Sequence, residues 1–436
     1  MTFKKKKDDV VCVSAVRTPY GRFGGSMKDI DIYDLGAIPM KNAMDRINLD
    51  PKLIDEVWWG NGDTTNCKDP FTPVVARQTM IKAGISPETP SLAFDQACTS
   101  AMASVHYGTR SIRLGAAKIV MTGGSTSFST VPFLLRGLRW EGKKHSSFLV
   151  EDPIIPLGYK DYAPVAVDSG NVALEYGVSR EEQDELAVSS HKRYGVAWER
   201  GFFKTEMVPY EIVKKDKKGN VVSSKVLDQD EQYRADVSIA GLAKLKPMFG
   251  NPTCTAGNSP GMNDGAAAQI FTTRENAEKL GLPIVYTLVA TSAIALQPRI
   301  MPVSPAFAIK KCLDDAKLTI DDIKFIEINE AFACVPLVSC KLLSNDRWLK
   351  SDYQAMVEEV SQKPILDNDP VKYEALKKNK LNLNGSAISI GHPNCSSGAR
   401  IMMTAAYNLK ENGGGYAASA ICGGLTQGAG SIIWVE

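Results

Sequence analysis

Long apolar runs are missing from this sequence. No stretch reaches the roughly 18 to 20 uninterrupted apolar residues that a membrane-spanning helix needs, and the lysine-rich residues 1–11 lack the long apolar core of a secretory signal. An excess of charge of one sign is missing too, because 51 basic groups face 49 acidic groups, for a net charge of +2. We therefore predict a cytoplasmic protein that binds neither a membrane nor nucleic acid.

The cysteine patterns of metal sites and disulfides are also missing, and histidine is scarce. The nine cysteines are odd in number and never form a Cys-x-x-Cys pair, which favours reduced thiols over disulfides or a zinc site. We expect no metal and no tightly bound cofactor. The scarcity of histidine limits the choice of a catalytic base to four residues: His106, His145, His191 and His392.

The composition is that of a folded α/β protein. Apolar residues make up 44% and charged residues 23% of the 436 residues, a length that suits two or three domains. Short β-branched runs at residues 10–13, 118–122 and 284–290 alternate with longer stretches of helical period. This alternation predicts strand–helix–strand units and a largely parallel sheet.

Three segments of the first half recur in the same order in the second half, which predicts two copies of one βαβ-rich unit. In the first pair, the apolar residues keep the same spacing through a connection from a helix to a strand. The second pair runs from an apolar strand into paired glycines, and the third is a strand that begins with small residues. The matched segments are residues 49–59 with 318–328, 119–124 with 419–424, and 265–271 with 428–434. Such duplicated halves would place a site between them.

Two stretches interrupt the repeat. Residues 129–253 contain long polar loops, a helix that starts at Ser179 and a lysine-rich hairpin at residues 214–225, so we interpret them as an inserted loop domain. Residues 344–379 are charged and helix-prone, and we interpret them as a solvated surface excursion. The resulting domains are 1–128 plus 254–283 for the N-terminal half, 129–253 for the loop domain and 284–436 for the C-terminal half.

Cys98 is a candidate nucleophile. It follows an apolar strand at residues 92–94 and precedes a small-residue run that should open a helix. A thiol at a helix N-terminus feels the positive end of the helix dipole, which favours the nucleophilic thiolate. The alternative is a buried structural cysteine that packs as a small hydrophobe, as most cysteines do.

His392 is the candidate base. It lies in a loop of Gly, Pro and Ser, residues 389–400, that leads into a helix, where an imidazole can approach a ligand and take up a proton near neutral pH. The other histidines fit surface or packing roles better. His106 lies within the helix predicted after Cys98, His191 lies within a polar helix, and His145 follows two lysines in a solvated loop.

Cys422 and Asn329 each follow an apolar strand. The glycines after Cys422, including Gly424, could present backbone N–H groups to developing negative charge, although a tight strand-to-strand turn explains them equally well. The carboxamide of Asn329 could position a water or a carbonyl, although a turn-forming asparagine is the commoner explanation. Two cysteines and one histidine on three such loops meet the needs of a two-step acyl transfer.

Seven motifs, in order over nearly the whole chain, resemble those of the thiolases. They are residues 13–19 with 21–25, the Cys98 segment, 179–184 with 190–191, 255–258 with 263–265, 329–333, 391–393 with 397–400, and 422–424. The resemblance implies duplicated halves that form a layered α-β-α-β-α core with an inserted loop domain, assembled as a homodimer or homotetramer. It also implies cleavage of a 3-oxoacyl-CoA by coenzyme A in a degradation of β-oxidation type, or the reverse condensation.

The same resemblance implies a role for each candidate residue. Cys98 would carry the acyl group, His392 would accept its proton, and Cys422 would act as acid and base at the α-carbon of the leaving acyl-CoA. Asn329 would hold a water in one oxyanion hole, and the backbone N–H groups of Cys98 and Gly424 would form the other. Coenzyme A would be contacted by Ser259, Ala331 and Phe332.

Several departures from the family pattern surround the acyl and coenzyme A sites. Residues 123–128 lack the usual glutamate, Val165 and Gly170 replace a Met and a Glu near the acyl pocket, and Pro260 falls where a coenzyme A-contacting serine is common. Residues 394–395 replace a Leu-Gly pair. We therefore expect the chemistry to be kept and the acyl group to be unusual, with a branched, aromatic or dicarboxylic chain.

Two other hypotheses follow from the same residues. A related decarboxylating ketosynthase would carry a second active-site histidine where this chain has Asn329, which argues against that activity. A subunit that needs an auxiliary acyl-CoA-binding partner, or a non-catalytic acyl-CoA-binding relative, fits the departures. The intact set of Cys98, His392 and Cys422 argues against an inert protein.

Overall fold

The computed structural model describes residues 3–62, 73–141, 145, 147–154 and 158–436. Cys67 lies outside the described residues, and the other eight cysteines are free thiols. Among the helices of the described part, none has both the length and the apolar character that crossing a membrane requires.

The strands that build the centre of the molecule are buried along nearly their whole length, as expected of strands covered on both faces. In the described residues the strands are β1 (Val10–Arg17), β2 (Gly21–Arg22), β3 (Glu56–Gly60), β4 (Ser91–Phe94), β5 (Ile119–Thr126), β6 (Leu134–Leu135), β7 (Val150–Glu151), β8 (Tyr210–Lys215), β9 (Val221–Leu227), β10 (Asn263–Thr273), β11 (Tyr286–Ala295), β12 (Ile323–Ile328), β13 (Gly415–Gly423) and β14 (Gln427–Val435).

Ten of these strands form one mixed sheet, in the order β12–β13–β14–β11–β1–β10–β5–β3–β4, with β2 paired to β10. β3 runs parallel to β4 and β5, and β12 runs parallel to β13, whereas the other neighbours along the order are antiparallel. The prediction of a largely parallel sheet is therefore wrong. β13 and β14 are joined by the three-residue turn Gly424–Thr426, which is too short for the crossover that parallel strands need.

The sheet is built from two equivalent halves. β3, β5, β10 and β1 follow one another in the first half as β12, β13, β14 and β11 do in the second, with one parallel and two antiparallel pairings in each. The three segment pairs matched in the sequence fall on β3 and β12, β5 and β13, and β10 and β14. The halves meet where β1 pairs with β11, through Val11 with Thr287 and Cys12 with Tyr286. The duplicated α/β fold is confirmed.

Helices alternate with these strands, as the sequence pattern indicates. In the described residues they are α1 (Ile32–Asp45), α2 (Val75–Lys82), α3 (Ser100–Arg113), α4 (Leu138–Glu141), α5 (Val165–Glu175), α6 (Arg180–Glu199), α7 (Ile239–Leu242), α8 (Arg274–Lys279), α9 (Ser304–Ala316), α10 (Cys334–Leu343), α11 (Asp346–Lys350), α12 (Tyr353–Gln362), α13 (Pro370–Asn379), α14 (Ala387–Ile390) and α15 (Asn394–Glu411).

Two helices, α3 and α15, pack against each other over the sheet. α15 is buried from Cys395 to Leu409, as expected of a helix with apolar and small residues all round. Gly398 permits the close approach, because a Cβ atom there would lie 2.6 Å from the backbone nitrogen of Met102 in α3. The N-terminal ends of the two helices therefore meet.

The inserted stretch carries the two elements that the sequence predicts. α6 begins after Ser179, whose hydroxyl accepts the amide hydrogen of Glu182 at 3.2 Å. β8 pairs antiparallel with β9 to form the hairpin. The three domain boundaries stay predictions.

The interpretation of residues 344–379 as a solvated excursion is wrong. The stretch forms α11, α12 and α13, in keeping with its helix-prone composition, but the inner faces of these helices are buried. Trp348 is fully buried, and its ring lies edge-on to Phe307 of α9 with the centroids 5.2 Å apart. Met356 and Tyr373 are buried in the same cluster. Apolar side chains among the charges thus extend the core of the C-terminal half.

Candidate active site

Cys98 lies in a 3₁₀ turn, Ala97–Thr99, between β4 and α3. The carboxylate of Asp95 accepts the amide hydrogen of Ala97 at 2.7 Å, and the hydroxyl of Ser100 accepts that of Gln96 at 2.9 Å. Ala97 has a φ of 49°, a left-handed conformation that costs a non-glycine residue energy. Of the eight described cysteines, Cys98 is the one that is partly exposed.

His392 stands opposite this thiol, with Nε2 at 3.3 Å from Cys98 Sγ. The other ring nitrogen, Nδ1, lies 2.7 Å from the hydroxyl of Ser397 in the first turns of α15. The backbone N–H of His392 donates to Oδ1 of Asn263 at 2.9 Å, and Gly391 before it has a φ of 113°, where glycine is needed. Segments far apart in the sequence thus fix the imidazole against the thiol.

Asn329 joins the group immediately after β12. Its Nδ2 lies 3.4 Å from each ring nitrogen of His392, and its Oδ1 accepts from the guanidinium of Arg400 at 3.1 Å. Arg400 is buried on α15 and also donates to the hydroxyl of Ser386 at 3.0 Å. Because Arg400 holds the oxygen, the amide nitrogen of Asn329 faces the imidazole.

The loop that follows Cys422 packs on the Cys98 turn. Cys422 is buried near the end of β13, and a Cβ atom on Gly423 would lie 2.8 Å from Cγ2 of Thr99. A Cβ atom on Gly424 would lie 3.4 Å from the Cβ of Ala97. The structure thus brings into one group the five residues predicted for catalysis: Cys98, His392, Cys422, Asn329 and Gly424.

Burial dominates the electrostatics of this group. It raises the pKa of the Cys98 thiol well above its usual range, and the thiols of Cys422 and Cys395 raise it further. Burial thus opposes the thiolate that the helix dipole is expected to favour. Burial, with a smaller effect of Arg400, lowers the pKa of His392 to about 3, so the imidazole is neutral at pH 7. Burial also raises the pKa of Cys422 to about 12.

An open cleft of about 310 Å³ borders the group. Its wall includes Ala97, which precedes Cys98 in the chain, and Gly424, which follows the strand β13 that contains Cys422. Tyr159, from the irregular stretch before α5, also lines the cleft. Further lining residues are Asp95, Gln96, Thr126, Phe128, Asn394 and Cys395.

The three residues predicted to contact coenzyme A lie near one another. The backbone N–H of Ala333 donates to the carbonyl of Asn258 at 2.9 Å, which ties the segment of Ala331 and Phe332 to that of Ser259. All three predicted residues are almost fully buried. The hydroxyl of Ser259 is buried and has no hydrogen-bond partner among the described residues. A role in binding coenzyme A stays a prediction.

The other histidines make contacts of their own. His106 is buried on α3 with Nε2 at 3.2 Å from the hydroxyl of Ser431, and Nδ1 of His191 accepts the amide hydrogen of Arg234 at 3.2 Å. His145 is exposed. Within the part of the chain that the structure describes, no group of three or more His, Cys, Asp or Glu side chains could hold a metal ion.

Four side chains at the site have no assigned role in the sequence-based prediction: Asn263, Ser397, Arg400 and Tyr159. The first three lie within the motifs that resemble those of the thiolases. The short spacing between His392 and Ser397 at the start of a helix could have predicted that these two side chains are in contact. Tyr159 offers no such signal, because it lies in an irregular loop whose path no local pattern sets.

The family is identified by comparison with known proteins. Residues 10–275 match the model of the thiolase N-terminal domain, and residues 282–435 match that of the thiolase C-terminal domain. The acetyl-CoA acetyltransferase of Syntrophomonas wolfei is 35% identical, and the beta-ketoadipyl-CoA thiolase of Pseudomonas knackmussii is 34% identical. Each of these alignments covers 98% of this chain and 98% of the relative.

Comparison with solved structures identifies the same family. Human mitochondrial 3-ketoacyl-CoA thiolase is 31% identical and superposes with a TM-score of 0.83, over 98% of this chain and 99% of that chain. The same human enzyme in complex with CoA gives a TM-score of 0.83 as well. With both domain models, the full-length relatives and the duplicated fold in agreement, the chain belongs to the thiolase family and is an acyltransferase.

Proposed function

We propose that this enzyme cleaves a 3-oxoacyl-CoA with coenzyme A through an acyl group carried on Cys98, or runs the reverse condensation. The observation that carries the proposal is the 3.3 Å contact between Cys98 Sγ and His392 Nε2, beside Asn329 and the Cys422 loop. A neutral imidazole next to a thiol of raised pKa supports transfer of the proton during the attack, since little thiolate is present beforehand.

In the first step the Cys98 sulfur attacks the 3-oxo carbon while its proton passes to Nε2 of His392. A thioester forms, the bond between C2 and C3 breaks, and the electron pair stays on C2 as the enolate of the leaving acyl-CoA. The Cys422 thiol then protonates C2 and the acyl-CoA leaves. A thiol whose pKa is raised to about 12 is protonated at neutral pH, which suits this acid.

In the second step the thiol of coenzyme A gives its proton to the Cys422 thiolate and attacks the thioester. The shortened acyl-CoA forms, and the Cys98 sulfur leaves with the proton held by His392. Protons and electrons balance over the cycle, and the reverse order of steps gives condensation. Cleavage is the favoured direction, because joining two thioesters through a new carbon–carbon bond is generally uphill.

Two sets of donors would stabilise the negative oxygens of these steps. A water held by Asn329 and His392 would serve one oxyanion, and the backbone N–H groups of Cys98 and Gly424 would serve the other. Ser397 supports the base: when its hydroxyl accepts from Nδ1–H, the lone pair of Nε2 is left facing Cys98.

The contacts with coenzyme A, the acyl group, the location and the assembly of the protein are further proposals. Ser259, Ala331 and Phe332 would contact coenzyme A, which is bound in the human structure. The acyl group would be branched, aromatic or dicarboxylic. The relatives are named for substrates as different as acetyl-CoA and beta-ketoadipyl-CoA. A cytoplasmic location, a homodimer or homotetramer, an auxiliary subunit and a role in degradation of β-oxidation type stay predictions.

In the test, the pure protein is incubated with coenzyme A and a panel of 3-oxoacyl-CoA thioesters. Their acyl groups are acetyl, branched, aromatic or dicarboxylic. Mass spectrometry identifies the products. We expect two acyl-CoA products from at least one substrate, and none above background from Cys98→Ser, which keeps the size of the side chain but is the weaker nucleophile. A protein that cleaves no member of the panel, or a Cys98→Ser variant as active as the wild type, would rule the proposal out.

A further inference from the structure

Tyr159 separates two cavities beside the candidate catalytic group. The cleft of about 310 Å³ lies on one side of it, and a cavity of about 10 Å³ lies on the other. Tyr159 and Leu425 line both spaces, so these two side chains form the wall between them. The smaller cavity is otherwise lined by Tyr162, Ala163, Val165, Asp168, Pro298 and Met301.

The phenol of Tyr159 reaches the backbone of the site. A Cβ atom added to Gly424 would overlap the Tyr159 hydroxyl, so the ring end and the Gly424 backbone are in direct contact. Burial raises the pKa of Tyr159, and the neighbouring Cys98 and Asp95 raise it further, which places the hydroxyl within electrostatic reach of the candidate nucleophile. The wall therefore lies beside the candidate nucleophile.

The two residues of the wall, Leu425 and Tyr159, lie in different kinds of backbone. Leu425 and Thr426 have φ angles of 52° and 60°, an unusual pair of left-handed non-glycine residues fixed between β13 and β14. Tyr159 lies in a stretch without helix or strand that ends at Pro164. Because both side chains line both cavities, the sizes of the Tyr159 and Leu425 side chains decide whether the two cavities are separate.

We propose that Tyr159 is a specificity-determining residue that confines the acyl group on Cys98 to the larger cleft, an inference that rests on the proposed function. A compact ring or branched chain fits a cleft of about 310 Å³. A long straight chain directed at Tyr159 would meet its ring, because the cavity behind it, at about 10 Å³, is too small to receive a chain. The substrate class is therefore a 3-oxoacyl-CoA with an aromatic or branched acyl group.

The test measures the rate at which Cys98 is acylated by benzoyl-CoA and by decanoyl-CoA, with mass spectrometry of the Cys98 peptide. We expect the wild type to react about tenfold or more faster with benzoyl-CoA. Tyr159→Phe keeps the ring and should keep this ratio. Tyr159→Ala joins the cavities and should raise the relative rate with decanoyl-CoA about tenfold. Leu425→Ala opens the wall from the other side and should act in the same direction.

Three results would overturn the inference: a wild type that prefers decanoyl-CoA, a ratio unchanged in both alanine variants, or a ratio lost in Tyr159→Phe. In each of these cases the acylation of Cys98 itself would leave the proposed function standing. Wild-type protein in which neither thioester nor acetyl-CoA acylates Cys98 would instead contradict the proposed function, and this inference with it.

Discussion

The guanidinium of Arg400 donates to the side-chain oxygen of Asn329 at 3.1 Å, and this bond decides which way the carboxamide faces. The amide nitrogen is left 3.4 Å from both ring nitrogens of His392. Arg400 is itself held by a bond to Ser386 at 3.0 Å. A buried guanidinium fork thus orients the amide before a substrate arrives, which is the preorganisation that an oxyanion site requires.

Arg400→Lys should lower kcat about a hundredfold and leave KM nearly unchanged, because one ammonium group cannot hold Asn329 and Ser386 as the fork does. Steady-state kinetics measure this split, and thermal unfolding checks that the fold is kept. Arg110→Lys, on the exposed face of α3, is the matched control and should keep wild-type kcat. A raised KM with unchanged kcat would contradict a role in orientation.

Ser397→Ala should slow acylation of Cys98 about tenfold, because the imidazole of His392 loses the partner that keeps its proton on Nδ1. Ser397→Thr restores a hydroxyl at the same position and should recover most of the rate. Stopped-flow acylation with an accepted acyl-CoA measures both variants. Equal rates for the alanine and threonine variants would show that the hydroxyl has no such role.

The pH dependence of kcat/KM should lack an inflection near pH 6.5. This quantity reports the free enzyme, in which burial lowers the pKa of His392 to about 3, so the base is already neutral throughout pH 5–8. Burial raises the pKa of Asp264 to about 6, so the profile should also be measured in Asp264→Asn. An inflection between pH 6 and 7 that persists in that variant would contradict a neutral imidazole.

Glu327→Gln should stabilise the protein more at pH 8.5 than at pH 5. Burial raises the pKa of Glu327 from 4.5 to about 8, Glu330 and Glu206 add to this effect, and Arg400 opposes it. A raised pKa in the folded state means that the stability contributed by the neutral carboxyl group is full below pH 4.5 and is lost as the pH rises through 8. The difference in Tm between variant and wild type should therefore grow with pH, and Glu185→Gln, at an exposed position of α6, is the control.

The duplicated fold could be predicted because the repeat survives in local features of the sequence. β5 and β13 each run from buried apolar residues into paired glycines, and these runs are readable without any tertiary contact. Strand direction could not be predicted in the same way, because it depends on the length of each connection, such as the short turn Gly424–Thr426. The burial of residues 344–379 could not be predicted, because their charged residues hide an apolar face, and the contact of Trp348 with Phe307 is seen only in the tertiary structure.

The site could be predicted in its parts more readily than in its electrostatics. Cys98 and His392 each precede a helix in a small-residue segment, and the family resemblance joined them. Their meeting in space depends on the contact of Gly398 with Met102, which no local pattern shows. The raised pKa of Cys98 comes first from burial and then from the thiols of Cys422 and Cys395, which distant segments bring in, so a helix-dipole argument from sequence could not foresee it. Tyr159 was missed because its position beside the site also depends on tertiary contacts, which no local sequence pattern shows.

The most direct test of a mechanism with two sulfurs is made on Cys422→Ala. The variant is mixed with an acyl-CoA that the wild type accepts, and its peptides are mapped by mass spectrometry alongside an assay of 3-oxoacyl-CoA cleavage. We expect an acyl adduct on Cys98 at close to full occupancy, with cleavage reduced about a thousandfold or more because the acid at C2 is gone. Cleavage at the wild-type rate, or an adduct on a different cysteine, would contradict the assignment of nucleophile and acid.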